Sequence, residues 1–412
     1  MLLSVVFEFN EIRRYFNFVQ AVSLSTLISL TAMAPSPADS LNSLSDATTT
    51  VPSASAQQEQ ISDAQVLRAV AEVDKLAQQQ VDEHRVAGLS MAIVFKDKVI
   101  FAKGYGVCEV GKEAKVDADT VFQIASVSKP VGATVIARLI DEGKITWDSK
   151  ISDLDPDFAM HDPWVTREIT IRDLYAHRSG LPDHAGDLLE DLGADRALVL
   201  HRLRYQRPDS SFRAGYAYTN FGITEAAQAA TKPYGLSWED VSEQKLYKPL
   251  GMSLTSSRYC DFMARANKAL GHIMVDDKLV HTTQRQPDVQ SPAGGVSSSA
   301  NDMAKWMRLQ ISNGKFDGKQ FIAEKTLAET HHLHMLTQFS PFTHLPGFYG
   351  LGMNVTYDEH GRLRLGHSGG FALGAGTNVS MVPDAQLGIV VLTNTYPVGV
   401  AEGLAWIFST WR

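Results

Sequence analysis

The stretch VFQIASVSKPVGATVIARLIDEG, Val121 to Gly143, sets Ser126 and Lys129 three residues apart at the head of an apolar run. A serine alcohol attacks a carbonyl only when a base takes its proton, and a lysine desolvated beside it has its pKa lowered toward that task. Val127, Val131, Val135 and Leu139 recur at helical spacing and Gly143 stops them, with Pro130 tolerated in the first turn. Val121 to Ala125 then reads as a short approach segment. Ser126 falls at a helix N-terminus, where free backbone N–H groups favour negative charge, and Lys129 shares its face one turn later. The spacing alone is weak, because S-x-x-K recurs at Ser242 to Lys245 and at Ser312 to Lys315. What separates Ser126 is that it alone opens an apolar helix.

Two further stretches carry matching chemistry. GYAYTNFG holds Tyr218 and Asn220 in a loop-rich region. A tyrosine near a lysine serves as acid and base, and an asparagine amide both donates to and accepts from a substrate amide. LGHSGGFALGAGTNVSMVP holds His367, Ser368, Gly369 and Gly370 ahead of a strand from Thr377 to Val382. The glycine pair lets a substrate backbone lie along an edge strand, and an N–H there completes an oxyanion hole with that of Ser126. His184-Ala185-Gly186 repeats the H-x-G form and reads as a decoy, and His177 reads as part of a structural loop.

The elements that must hold these residues are legible at both ends of the chain. Ser62 with Gln65 has the capping-box form, and Val66, Val70, Val73, Ala77 and Val81 follow at helical spacing, predicting a helix over about 63–83. Leu89 to Phe95 and Val99 to Cys108, joined at Lys96-Asp97-Lys98, form a hairpin pattern. Thr377 to Val382 and Leu387 to Asn394 repeat it before an apolar helix over about 398–411. Strands from both ends are expected in one sheet. Between them, residues of about 145–289 are helical and loop-rich, so an α/β part (about 62–144 and 290–412) is interrupted by a mostly helical one, with a cleft at the junction.

Composition bounds the partners. The chain has 412 residues, 44% of them hydrophobic, and a net charge of −8 with no basic cluster, which excludes a nucleic-acid partner and favours a small molecule or peptide. Arg13 and Arg14 precede a mostly apolar run from Phe16 to Met33, ending at Ala32-Met33-Ala34, so residues 1–34 read as a cleaved secretory signal, the alternative being a retained anchor. Residues 35–61 are poor in large apolar side chains and read as a tether. A secreted or periplasmic protein with no stable membrane span after cleavage is the expectation. Cys108 and Cys260 read as free, buried thiols, and His331, His332 and His334 lack acidic companions at ligand spacing, so no metal or other cofactor is expected.

Taken in order, S-x-x-K, Y-x-N and H-x-G resemble the serine β-lactamase and penicillin-binding superfamily. The closer resemblance is to the branch of class C β-lactamases, D-alanyl-D-alanine carboxypeptidases and related esterases. LYAHRSGLP (Leu174 to Pro182), YKPLGM (Tyr247 to Met252), SPAGGVSSSANDMAKWM (Ser291 to Met307) and YGLGM (Tyr349 to Met353) support it, and it covers about Ala64 to Trp411. The resemblance implies a β-lactamase-like α/β fold, an antiparallel sheet flanked by helices with an inserted helical part. It also implies an acyl-enzyme on Ser126, with Lys129 and Tyr218 sharing the proton work and either as base.

In that reading Asn220 orients the acyl side chain, and the N–H groups of Ser126 and Gly370 hold the oxyanion. His367 stands where many β-lactamases carry a lysine that pairs with a substrate carboxylate, so carboxylate recognition should be weaker or pH-dependent. No E-x-x-x-N element is identified in the middle region to activate water in the class A manner. The implied function is an exported serine hydrolase of carboxypeptidase, esterase or peptidase type, then a class C-like β-lactamase, then a non-catalytic penicillin-binding or sensor module.

Overall fold

The computed structural model describes residues 61–339, 346–358, 360–396 and 399–410; the predicted signal and all but the last residue of the predicted tether lie outside them. Helix α1 (Asp63–Asp82) starts where the capping box predicts, with Gln65 N–H donating to the Ser62 hydroxyl and Ser62 N–H to the Gln65 side chain. Strands β1 (Gly88–Phe95) and β2 (Lys98–Gly106) form the expected hairpin. Helices α2 (Ser128–Asp141), α3 (Asn220–Thr231) and α4 (Ala300–Ile311) are the longest of the middle of the chain.

Strands β3 (Met335–Phe339), β4 (Pro346–Tyr349), β5 (Asn354–Tyr357), β6 (Leu363–Phe371), β7 (Ala375–Val382) and β8 (Leu387–Thr393) precede a final helix, α5 (Val400–Thr410). They complete an antiparallel sheet in the order β2-β1-β8-β7-β6-β5-β4-β3. The two ends of the chain meet where β1 pairs with β8, Leu89 opposite Thr393 and Ile93 opposite Ile389. Every residue of β1 and β8 is buried, so each reads as a continuous apolar run rather than an alternating one.

The period of two decides which core each side chain enters. Leu89, Met91 and Ile93 pack with Ile389 and Val391 against Val66, Val73 and Ala77 of α1 and Leu404 and Phe408 of α5. Ala92 and Val94, with Val390 and Leu392, face the other way into a larger core that contains α2, α3 and α4. The sheet thus separates the terminal helices from the helical part, and the site lies on the latter side.

Several elements were not foreseen, among them β3, β4 and β5 and a hairpin in the middle of the chain. His272–Val275 and Lys278–His281 form a hairpin inside the helical part, and Thr395–Tyr396 pairs parallel to its first strand. Its turn residues, Asp276 and Asp277, both have positive φ (47° and 58°), the geometry of the tight turns that match strand twist. Both cysteines are free, as expected, but only Cys108 is buried; Cys260 is exposed at a helix start. Among the described residues no helix is long and apolar enough to cross a membrane.

Candidate active site

Ser126 is held by a frame on three sides. Phe122–Gln123 pairs antiparallel with Ser297–Ser298, Ile124 N–H donates to Val296 O at 3.0 Å, and Thr377 Oγ1 on β7 donates to Ile124 O at 2.8 Å. The chain then turns through Ala125, which has φ 48°, a left-handed conformation costly for a residue with a Cβ. Ala125–Val127 form a single 3₁₀ turn that runs directly into α2, so Ser126 precedes the helix instead of lying within it. Ser128 is turned inward, its hydroxyl accepting from Val296 N–H at 2.9 Å.

Lys129, Tyr218 and Asn220 converge on this serine from three segments. Lys129 is fully buried, and its Nζ lies 3.1 Å from Ser126 Oγ, 2.7 Å from Asn220 Oδ1 and 2.9 Å from Ala293 O. Burial lowers its pKa to about 7, opposed by the charge of Asp187. The Tyr218 hydroxyl donates to Ser126 Oγ at 2.8 Å, and Lys129 Nζ stands 4.5 Å from the Tyr218 ring centroid. Burial pushes the Tyr218 phenol well above its ordinary value, so it keeps its proton at neutral pH.

The partners of Lys129 define its protonation geometry. A carbonyl and an amide oxygen only accept, so a neutral lysine spends both N–H bonds on Ala293 and Asn220. Its lone pair is left for the proton of Ser126. The other two S-x-x-K segments are occupied differently: Ser242 Oγ bonds Trp238 O while Lys245 pairs with Glu142, and Ser312 follows α4 in a turn.

The H-x-G segment lies on β6 beside the nucleophile. β5 pairs with β6 only over residues 363–366, and the ladder to β7 continues through Phe371. Gly369 packs so closely that a Cβ on it would stand 2.4 Å from Ile124 O and 2.9 Å from Ser126 N. Ser368 is exposed and its Oγ accepts from Asn378 Nδ2 at 3.0 Å.

His367 takes its hydrogen-bond partners from the protein. It is 5% exposed, with Nδ1 2.6 Å from Ser368 O and Nε2 2.9 Å from the Tyr349 hydroxyl. A carbonyl only accepts, so Nδ1 carries the proton and Nε2 accepts from Tyr349. Burial, with Lys129 nearby, lowers its pKa to about 3. His367 is therefore a neutral link between β6 and the YGLGM segment.

Sequence reasoning passed over Asp187, His184 and the Ala293 carbonyl. Asn220 Nδ2 donates to Asp187 Oδ2 at 2.9 Å, and His184 Nδ1 lies 2.7 Å from the same oxygen. The H-x-G decoy thus supplies a histidine to the periphery of the site. No local pattern marks these residues, because their meeting depends on a turn through Gly186, φ 97°. His177 is buried with its ring 4.6 Å from that of Tyr218, and its Nδ1 accepts from Thr219 N–H, in keeping with a structural loop that seats the tyrosine. His331 is bonded through Nε2 to Gln310 Oε1, and His334 to Glu329 O.

The family model described as Beta-lactamase matches residues 73–408. An unguisins hydrolase of Aspergillus campestris is 27% identical over 81% of this chain and 63% of its own length, so the chain spans less than two thirds of that relative. Penicillin-binding protein 4 of Amycolatopsis lactamdurans is also 27% identical, over 76% of this chain and 82% of its own. Among solved structures, the octameric penicillin-binding protein homologue from Pyrococcus abyssi aligns with a TM-score of 0.70 at 22% identity, covering 82% of this chain and 76% of that one, a likeness of fold. With the family match running from α1 to α5 across the site just described, the chain belongs to the beta-lactamase family.

Proposed function

We propose that the protein is an exported serine hydrolase that forms an acyl-enzyme on Ser126 and cleaves an ester, amide or peptide bond. The observation that carries this reading is the pair of contacts at Ser126 Oγ, Tyr218 at 2.8 Å and Lys129 at 3.1 Å. Neutral Lys129 takes the serine proton as Oγ attacks the carbonyl carbon, and the oxyanion rests on the N–H groups of Ser126 and Gly370. The carbon–heteroatom bond then breaks. The leaving group takes the Tyr218 proton, which the lysine ammonium replaces, and water reverses the sequence to release the acid.

The neutral state of His367 favours one part of this range. It provides no positive charge to pair with a carboxylate beside the scissile bond. An esterase or peptidase acting on an uncharged flank therefore stands ahead of a carboxypeptidase, and both ahead of a class C-like β-lactamase. The unguisins hydrolase and the penicillin-binding protein among the relatives support acyl transfer as the shared chemistry. Export rests on the charged and apolar pattern of residues 1–34.

The test is labelling of the folded mature protein by a fluorophosphonate, followed by intact mass after mixing with an aryl ester and with a penicillin, with Ser126→Ala as control. Labelling lost in the control, with faster turnover of the ester than of the penicillin, is the expected result. Rapid destruction of the penicillin without a lasting adduct would replace the ester and peptide reading by a β-lactamase. Failure of folded wild type to label would favour a ligand-capturing module.

A further inference from the structure

The amide of Asn220 is engaged at both ends: Oδ1 accepts from Lys129 Nζ at 2.7 Å, and Nδ2 donates to Asp187 Oδ2 at 2.9 Å. Only one orientation of the amide satisfies a carboxylate at one end, because a carboxylate accepts and never donates when ionised. That orientation points the amide oxygen at the lysine. Were the amide reversed, its NH₂ would face Lys129 and compete with Ser126 for the nitrogen lone pair. The other oxygen of Asp187, Oδ1, is buried without a partner, so the carboxylate is held here at a desolvation cost.

We infer that Asp187 is a positioning residue for the hydrolysis: by fixing the Asn220 amide it aims the lone pair of Lys129 at Ser126. This rests on the reading of Ser126 as nucleophile. Asp187 reaches no reacting atom itself; it acts through Asn220. Its sequence position within His184-Ala185-Gly186-Asp187 ties the loop before the Y-x-N element to the S-x-x-K helix. The bond to Asp187 uses one of the two Asn220 amide N–H groups.

Charge adds a second effect. The groups that face Lys129 are Asp187, whose charge favours the ammonium, His177, His184 and His367, whose charged forms would disfavour it, and the protonated Tyr218 phenol. His177 and His367 are held neutral by burial, whereas the hydrogen bond to Asp187 raises the pKa of His184. Asp187 is therefore the one anion in this set, and its removal lets burial lower the lysine pKa further. The acidic limb of a rate profile then moves to lower pH.

The experiment compares wild type, Asp187→Asn and Asp187→Glu by the rate of fluorophosphonate labelling of Ser126 between pH 5 and 9, with Ser126→Ala as the control for site. Asp187→Asn should label roughly ten- to a hundredfold more slowly on its plateau, because its own amide tolerates the reversed Asn220. Its acidic limb should lie at lower pH than that of wild type. Asp187→Glu, which keeps the acceptor, should recover part of the plateau and the wild-type limb. An Asp187→Asn protein with wild-type rate, or with a slower rate and an unmoved limb, would overturn the inference while leaving Ser126 as nucleophile. Wild type that does not label at all would remove both readings together.

Discussion

Gly369 on β6 and Ser126 at the start of α2 approach so closely that a Cβ on the glycine would stand 2.9 Å from the serine N and 2.4 Å from Ile124 O. The contact is backbone against backbone, so no side chain can swing aside to relieve it. Gly369→Ala should either separate β6 from the Ser126 turn or strain the turn, costing about 1–3 kcal/mol as overpacking does. The expected outcome is a lowered Tm together with a loss of labelling at Ser126. A variant with wild-type Tm and labelling rate would show that the strand and the turn are looser than the structure has them.

Lys129 is fully buried, so its replacement is read in both chemistry and folding. Lys129→Met fills nearly the same volume but leaves Asn220 Oδ1 and Ala293 O without their donor, a cost of about 1–3 kcal/mol each that removal of the buried amine offsets in part. Turnover should fall by about 10²–10⁴-fold, the usual contribution of a positioned base, while Tm falls only modestly. Near-normal turnover would give the base role to Tyr218.

Much of this arrangement is legible in the chain itself, and the reason differs between elements. α1 and the β1–β2 hairpin announce themselves through a capping box, a helical stripe and a short polar turn at Lys96-Asp97-Lys98, all local signals. The S-x-x-K, Y-x-N and H-x-G segments are legible because each is short and carries its own chemistry. The Asp276-Asp277 hairpin is not legible because its strands are short and largely exposed, leaving no alternating pattern to read. The charge state of His367 is not legible in the chain for a different reason: it is decided by Tyr349, Ser368 O and burial, and only Ser368 is near it in sequence. Asp187 and Asn220 meet across 33 residues, a contact that periodicity does not encode.

The pH dependence of turnover follows from the lysine. Below its pKa of about 7 Lys129 is an ammonium and has no lone pair for Ser126, so kcat/KM should rise with pH through about 7 and then level. His367, with a pKa of about 3, is neutral across that range and contributes no limb of its own. A profile of His367→Gln should therefore keep the wild-type midpoint even if its rate changes. A midpoint that moves with this substitution would place the histidine among the titrating groups.

Stability should depend on pH through histidines buried in neutral form. The pKa of His331 is lowered by burial from 6.5 to about 4, and its Nε2–H donates to Gln310 Oε1. Between those values the unfolded chain binds the proton and the folded one does not, so stability falls as pH drops from about 6.5 toward 4. Glutamine at 331 keeps a donor for Gln310 without a titrating ring. Denaturant unfolding of His331→Gln should lose less stability than wild type between pH 7 and 4.5; equal losses would assign the acid sensitivity elsewhere.

Tyr218 tests the proton given to the leaving group. Its phenol is kept protonated by burial and donates to Ser126 Oγ at 2.8 Å, where a departing nitrogen or oxygen would pass. An aryl oxide leaves without a proton, whereas an amine expelled from an amide requires one. Tyr218→Phe should therefore lose on the order of 10²–10⁴-fold in amide hydrolysis and much less in hydrolysis of a nitrophenyl ester. Because the ring remains against His177, the fold should be unaffected, which Tm checks. An equal loss on both substrates would mean that the hydroxyl activates Ser126 in the attack step, and the division of labour between Lys129 and Tyr218 would have to be reversed.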